Sequence, residues 1–467
     1  MNYQKLTKNH IELLQGIVGE KYIFVDHENL EKYGQDETEN LIYYPEVVVK
    51  PRTPEEIAQL LKFCNQENIP ITPRGAGTGL SGGALPINNG ILLSMERFNS
   101  ILEIDERNLQ ATVEPGVINE EFQNAVKEKG LFYPPDPASK GSCFIGGNLA
   151  ENSGGPKAVK YGVTKDYVLN LEVVLPNGEI VWTGANTLKN STGYNLTQLF
   201  VGSEGTLGII TKAVFKLLPY PKHNLLMLVP FLNMEQACDA VSEIFKAGVI
   251  PSGMEFMERD AILLGAKHVG DYAFSIPDNV QAHLLIEVDG NNLEVLYNDC
   301  ELITELLQNY DCDEILFAED STQKERLWKI RRVVGEAVKS KSIYKEEDTV
   351  VPRAELTTLL KGVKEIGKKY GFNSVCYGHA GDGNLHVNIL KESMSDEDWK
   401  VKIPIAIREI FTLCIQLKGT LSGEHGIGLV QKNYMDIAFR PVVLDLQKNI
   451  KLLFDPNNIL NPNKMFN

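Results

Sequence analysis

Three of the eight histidines fall in two short C-terminal motifs whose residue types could hold a metal ion or move a proton. The first is Gly378-His379-Ala380-Gly381-Asp382-Gly383-Asn384-Leu385-His386-Val387-Asn388-Ile389. Leu385, Val387 and Ile389 alternate as the apolar face of a strand, so His386 and Asn388 share the other face. The Ala-Gly-Asp-Gly stretch reads as a turn that folds His379 back towards His386. The second motif is Ser422-Gly423-Glu424-His425-Gly426. Two imidazoles and a carboxylate with open positions suit Zn²⁺, Mn²⁺ or Fe²⁺. The spacing of the histidines is not a strict metal motif, and a polar cleft without metal is the other reading.

A cation is expected near these groups. The spacing predicts a helix over Ser321–Lys341, and at about 100° per residue Arg331 falls in its apolar stripe with Leu327, Ile330, Val334 and Val338. Arg332 lies instead with Lys329, Glu325 and Glu336. An arginine on an apolar face needs a partner, either a substrate carboxylate or a structural ion pair with an acid of the first domain. Gly335, one turn on, leaves space beside it.

Glycine marks a different kind of site. Gly77-x-Gly79-x-x-Gly82 has the dinucleotide spacing, but the Rossmann form must run from a strand into a helix. Gly83-Ala84-Leu85-Pro86-Ile87-Asn88-Asn89-Gly90 follows instead, with a proline and little helical character. That excludes the Rossmann reading. Consecutive glycines still let backbone N–H groups converge on phosphate oxygens without a helix dipole. A second such loop, Gly146–Gly155, and a third, Gly202–Gly208, suggest a wall around one extended cofactor.

The elements that must position these groups are legible in outline. Helices are expected at Leu6–Val18, Pro51–Cys64, Asn119–Lys129, Met234–Ala247 and Leu293–Gln308. Strands are expected at Ile69–Thr72, Ile91–Ser94, Ile101–Ile104 and Ala111–Glu114. Leu171–Leu175 and Glu179–Thr183 form a hairpin around Pro176-Asn177-Gly178. Glycine density falls after Pro219-Tyr220-Pro221, which marks a domain boundary.

The chain has 467 residues, 43% hydrophobic and 23% charged, the composition of an ordinary globular protein. At roughly 150 residues per domain it holds about three domains or two large ones. A formal net charge of −16 argues against nucleic acid or an anionic membrane surface as the main partner. The seven cysteines are scattered and form no C-x-x-C. This excludes an iron–sulfur cluster of common spacing and points to a reduced, cytoplasmic compartment. There is no signal-peptide h-region, and no apolar run approaches the roughly 18 residues of an integral membrane segment.

Several long motifs occur together. Pro73-Arg74-Gly75-Ala76-Gly77-Thr78-Gly79-Leu80-Ser81-Gly82-Gly83, Pro135-Asp136-Pro137-Ala138-Ser139, the Gly146–Gly155 run and Phe200-Val201-Gly202-Ser203-Glu204-Gly205-Thr206-Leu207-Gly208 resemble the FAD-binding domain of the vanillyl-alcohol oxidase family. The resemblance is closest to the FAD-linked D-2-hydroxyacid dehydrogenases: D-lactate dehydrogenase, the glycolate oxidase catalytic subunit and D-2-hydroxyglutarate dehydrogenase. It extends from about residue 40 to the C-terminus and includes Phe454-Asp455-Pro456-Asn457-Asn458-Ile459-Leu460-Asn461-Pro462-Asn463-Lys464.

The resemblance implies an α+β protein with a PCMH-type FAD-binding domain at 46–221, after an N-terminal helical segment at 1–45. An α+β cap or substrate domain would span 222–467, its C-terminal segment returning to the flavin. The FAD pyrophosphate would lie on Arg74, Gly75, Ala76, Gly77, Thr78, Gly79, Leu80, Ser81, Gly82 and Gly83. Pro137, Ser139, Gly147, Asn148 and Ser153 would flank the flavin, with Gly205 and Ile210 near it. Gly146, Asn152, Gly154, Gly155 and Asn461 complete the implied cofactor set. The first loop has no histidine for a covalent flavin link, so non-covalent FAD is expected; Cys143 reads as a buried small hydrophobe. His379, His386 and Glu424 match the family's metal ligands, His425 its proposed base and Arg331 its substrate arginine.

One departure bears on the substrate. The D-2-hydroxyglutarate enzymes carry a lysine where Glu346 stands here, and a threonine where Gly335 stands. Lys345 would substitute only with a register shift. A second substrate carboxylate would lose its usual contacts, so a small monocarboxylate is expected. Met254, Glu255 and Phe256 either line the pocket or belong to the core. The expected activity is FAD- and metal-dependent oxidation of D-lactate, with glycolate next and D-2-hydroxyglutarate after it. An O₂-reducing oxidase and a non-catalytic flavoprotein subunit are the alternatives. Without redox centres of its own the chain would pass electrons to a quinone, cytochrome, electron-transfer flavoprotein or iron–sulfur subunit. It would be cytoplasmic or peripheral to a membrane through that acceptor, and a homodimer is compatible with it.

Overall fold

Thr53 and Pro54 show how the local signals are used. The Thr53 hydroxyl accepts from the Glu56 N–H, Pro54 opens the helix Pro54–Glu67, and Asn68 closes it in the left-handed region at φ 51°. In the computed structural model, which describes residues 3–270, 276–318 and 320–466, the chain divides into two units. The first comprises Met1–Gly154, Val163–Tyr220 and Glu424–Asn467; the second comprises Gly155–Gly162 and Pro221–Gly423.

The first unit is built on two main sheets. One has the order β1-β2-β4-β3, with β1 Ile23–Phe24, β2 Val47–Val49, β3 Ile71–Arg74 and β4 Ile91–Ser94. The last three strands run parallel. The other is antiparallel in the order β5-β6-β10-β8-β9: β5 Ile101–Asp105, β6 Gln110–Val113, β8 Val168–Val174, β9 Ile180–Trp182 and β10 Ile209–Lys216. A separate short antiparallel pair is formed by β7 Leu131–Phe132 and β11 Leu218–Pro219.

Helix Lys8–Val18 buries Leu14 and Val18 in the same core as helix Pro54–Glu67, strands β2 to β4, and Ile459 and Leu460 from the C-terminal segment. Residues 1–45 and 424–467 are thus part of this unit. The C-terminal segment is stitched to β3 by main-chain bonds, Ile71 N–H to Ile459 O and Asn461 N–H to Ile71 O, both 2.8 Å.

The second unit is a seven-stranded antiparallel sheet in the order β15-β12-β14-β13-β17-β18-β16. Its strands are β12 His223–Phe231, β13 Gly253–Glu258, β14 Ala282–Gly290, β15 Leu316–Phe317, β16 Tyr344–Val350, β17 Asn373–Gly378 and β18 Asn384–Leu390. Helices Arg259–Val269, Ser321–Arg332 and Val334–Lys339 cover one face, where Ala261, Ile330 and Val334 pack on Met257, Tyr344 and Val375. Segment Gly155–Gly162 is pinned to β14 by Lys160, which pairs with Asp289 at 2.6 Å, and by Lys157, which pairs with Glu287 at 2.9 Å.

Two expectations are corrected. Ser321–Lys341 is two helices, Ser321–Arg332 and Val334–Lys339, divided at Val333; the Val333-Val334-Gly335 run combines β-branched residues with glycine, all weak helix formers. The Gly146–Gly155 run is not a loop throughout, because Ile145–Glu151 is helical. Its first N–H groups are satisfied by tertiary contacts, Ile145 to Val117 O at 2.9 Å and Gly146 to Pro115 O at 2.7 Å. A Cβ on Gly146 would come within 2.7 Å of Pro115, so glycine here serves close approach rather than flexibility.

Candidate active site

In the first unit, Arg74 ends β3 and the glycine loop follows it. Among the described residues, no N–H from Gly75 to Gly83 donates to another main-chain group. The carbonyls at the loop's end are turned the other way: Lys464 donates to Gly82 O, Gly83 O and Leu85 O at 2.7, 3.0 and 2.7 Å. A run of main-chain donors without main-chain acceptors is what a pyrophosphate requires. Gly77 adopts φ +77°, and the Arg74 guanidinium fills the space where its Cβ would stand.

Of the other expected cofactor residues, Gly147, Gly205 and Asn461 touch this loop or the strand end before it. Gly75 lies against Gly147 in helix Ile145–Glu151. That helix also carries Gly146 and Asn148, and Asn152 caps it at φ 56°. Asn148 donates to Asn119 at 3.0 Å, and Asn119 donates to Pro135 O at 3.1 Å, which ties the helix to the loop of Pro137 and Ser139. Ser153 O accepts from Thr164 at 2.7 Å, and Gly154 O accepts from the Asp136 N–H. Gly205, at φ +64°, abuts Pro73, and Ile210 is half-buried on β10. Asn461 donates to Gly83 O and Glu204 O at 3.0 and 2.8 Å. Gly155 alone falls in the second unit. Cys143 is buried, and burial pushes its thiol pKa up, which makes it a poor nucleophile.

Glu424 and His425 open the last segment of the first unit, and both are half-buried. The turn after them is held by Glu204, whose carboxylate accepts from the Ile427 and Gly428 N–H groups at 2.7 and 2.6 Å. Burial pushes Glu204 up to about 6 despite those bonds. Glu151 is raised too, first by burial and then by Glu204. Burial pulls the Lys464 ammonium down to about 7. None of these three was singled out from the sequence; a Glu–Lys pair separated by hundreds of residues leaves no local pattern.

In the second unit, antiparallel register builds a polar band on the helix-covered face. β16 and β18 set Asp348 opposite His386 and Glu346 opposite Asn388, and β17 sets Tyr377 opposite His386. His379 follows β17, and its ring lies 5.7 Å from that of His386 at 80°. The turn between them needs Gly383 at φ +84°, packed against Val351 O. Tyr377 donates to Glu346 at 3.2 Å, and His386 Nδ1 lies 3.6 Å from Glu346 and 3.8 Å from Asp348. Asp348 also accepts from Ser422 Oγ and the Gly423 N–H at 2.8 Å each. Glu424 is the next residue in the chain.

Arg331 is 5% exposed. The acid of the first domain considered as its structural partner is replaced by Glu255 of β13, 2.6 Å from its Nη2. Its Nε makes no hydrogen bond among the described residues. A buried guanidinium with one carboxylate partner and an open edge can bind a second carboxylate. Met254 and Phe256 are core residues, as one reading had them. His379 presents Glu255 with its Nδ1 at 2.8 Å, which leaves Nε2 as the donor for a divalent ion, so the residues of the second unit fit one.

The comparisons agree with this architecture. Residues 45–184 match an FAD binding domain, and residues 220–465 match the family described as FAD linked oxidases, C-terminal domain. The chain belongs to this family of FAD-linked oxidoreductases, with a PCMH-type FAD-binding domain. It is 42% identical over 436 residues to the glycolate oxidase subunit GlcD of Bacillus subtilis (strain 168), covering 93% of this chain and 92% of that protein. It is 36% identical to a D-lactate dehydrogenase of Anaerostipes hadrus over 99% of this chain and 98% of that one. A p-cresol methylhydroxylase structure shares the fold at TM-score 0.79 and 20% identity, covering 97% of this chain and 95% of that chain.

Proposed function

We infer that the protein oxidises a small D-2-hydroxyacid, D-lactate first and glycolate second, and passes the electrons to an external acceptor. The observation that carries this is the second unit's cluster of two neighbouring imidazoles, set edge to face, near a buried arginine whose Nε makes no hydrogen bond among the described residues. Non-covalent FAD, when bound, supplies the two-electron acceptor. A divalent ion held by His379, His386 and Glu424, when bound, supplies a Lewis acid that lowers the pKa of the substrate hydroxyl. The chain's own residues do the rest. Arg331 clamps the substrate carboxylate, and His425 takes the hydroxyl proton as general base. The anchoring of Ser422 and Gly423 on Asp348, across from His386, supports Glu424 as the third ligand. The D-lactate dehydrogenase and glycolate oxidase relatives support both substrates; the word subunit in the latter's name supports a separate acceptor protein, whether quinone-linked, cytochrome, flavoprotein or iron–sulfur.

The test is a stopped-flow panel of D- and L-hydroxyacids, following bleaching of the flavin. D-lactate is expected to bleach it and L-lactate is not; equal rates for the two enantiomers would overturn the reading. Rapid reoxidation by air after anaerobic reduction would make the protein an oxidase instead. Dialysis against a chelator is expected to slow the bleaching while the protein stays yellow, with recovery on adding Zn²⁺ or Mn²⁺. An unchanged rate removes the metal from the reaction.

Glu346 sets the size and charge of the substrate in this reading. Two carboxylates about 5 Å apart repel by about 3 kcal/mol at an effective dielectric of about 20. Glu346→Lys is therefore expected to raise the kcat/KM ratio of D-2-hydroxyglutarate over D-lactate by about tenfold or more. Steady-state kinetics with both acids check this, and an unmoved ratio would place Glu346 outside the substrate pocket.

A further inference from the structure

Glu255 lies within β13 with a fully buried side chain, 0% exposed, and it meets partners from two other elements. Its Oε1 and Oε2 stand 2.8 and 2.9 Å from His379 Nδ1, just beyond β17. Its Oε2 also stands 2.6 Å from Arg331 Nη2 on helix Ser321–Arg332. Arginine is always a cation, so Arg331 fixes the Glu255 carboxylate in place as its counterion. An imidazole whose Nδ1 faces such an anion carries its proton on Nδ1, and its ring plane is set by that bond. The Nε2 lone pair is then directed away from β13. Burial alone does not distinguish Glu255, because Glu258 on the same strand is also buried. Glu258 pairs with Lys364 at 2.7 Å instead.

We propose that Glu255 is the positioning residue of this site: it accepts the Nδ1–H of His379 and so presents Nε2 to a divalent ion, while Arg331 holds it there. This rests on the metal reading above and adds to it the residue that makes His379 a competent ligand. Metal affinity and the substrate arginine are thereby joined through one carboxylate.

The test uses the FAD-loaded full chain with Zn²⁺ as the probe, measured by competition against a chromogenic chelator. Glu255→Gln is expected to bind Zn²⁺ about 10–100-fold more weakly, and Glu258→Gln is expected to bind it as the wild type does. Wild-type affinity in Glu255→Gln overturns the proposal, and so does an equal loss in Glu258→Gln, which would mean a general packing effect. Failure of the wild type to bind Zn²⁺ overturns the metal reading itself and this proposal with it. Where Glu255→Gln does not fold, ¹⁵N-histidine spectra of the metal-free wild type serve instead. The His379 signal, assigned by its loss in His379→Gln, is expected to show the proton on Nδ1; a proton on Nε2 overturns the proposal.

Discussion

Replacing His425 by alanine is expected to slow flavin reduction by D-lactate by about 10²–10⁴-fold, the range for loss of a positioned general base, with FAD content unchanged. The fold around it supports so selective an effect. The turn Gly426–Gly428 is shaped by the backbone, with φ +79° at Gly426 and +48° at Gly428. It is held by the two N–H groups that donate to Glu204 and by the Leu429 N–H, which donates to Ser81 O at 2.8 Å. These bonds are main-chain or come from Glu204, so removing an imidazole two residues away leaves them intact. Single-turnover bleaching and the flavin absorbance of the purified variant check both halves. A colourless variant would make His425 part of the cofactor site rather than the base.

What could be read in the sequence follows the range of the interactions. The strand Asn384–Leu390 was legible because period-two alternation is local, and it correctly put His386 and Asn388 on one face. Arg331 was legible as a buried cation because the helical stripe is local too. Its partner was not, since Glu255 reaches it only through the packing of a helix against β13. Likewise Asp348 and Glu346 meet His386 through the β16–β18 register, which no local signal fixes. The helix at Ile145–Glu151 was missed for a related reason: its N-terminus is capped by the carbonyls of Pro115 and Val117 rather than by a side chain of its own. The break at Val333 carried a local signal, β-branched residues followed by glycine, that the longer apolar stripe outweighed.

Arg331→Met is expected to act on both stability and substrate binding, and the balance between them decides what the arginine is for. Removing one partner of a buried ion pair costs about 3–5 kcal/mol, because it strands the other charge; here Glu255 is left without its cation. A lower denaturant midpoint is therefore expected whichever role Arg331 has. Substrate binding separates the roles. Truncating one partner of a buried, hydrogen-bonded charge pair costs about 2–5 kcal/mol of binding, which is about 30-fold or more in KM for D-lactate. The Nε that makes no hydrogen bond among the described residues, on a guanidinium whose Cζ lies 5.1 Å from the Tyr377 ring centroid, is the reason to expect that second loss. Were Arg331 only the counterion of Glu255, the folded fraction of the variant would keep the wild-type KM. Arg331→Lys sharpens the comparison, since an ammonium restores the charge but not the two-edged fork. Stability is then expected to recover more than KM, because one point charge can face Glu255 or the substrate carboxylate but cannot span both.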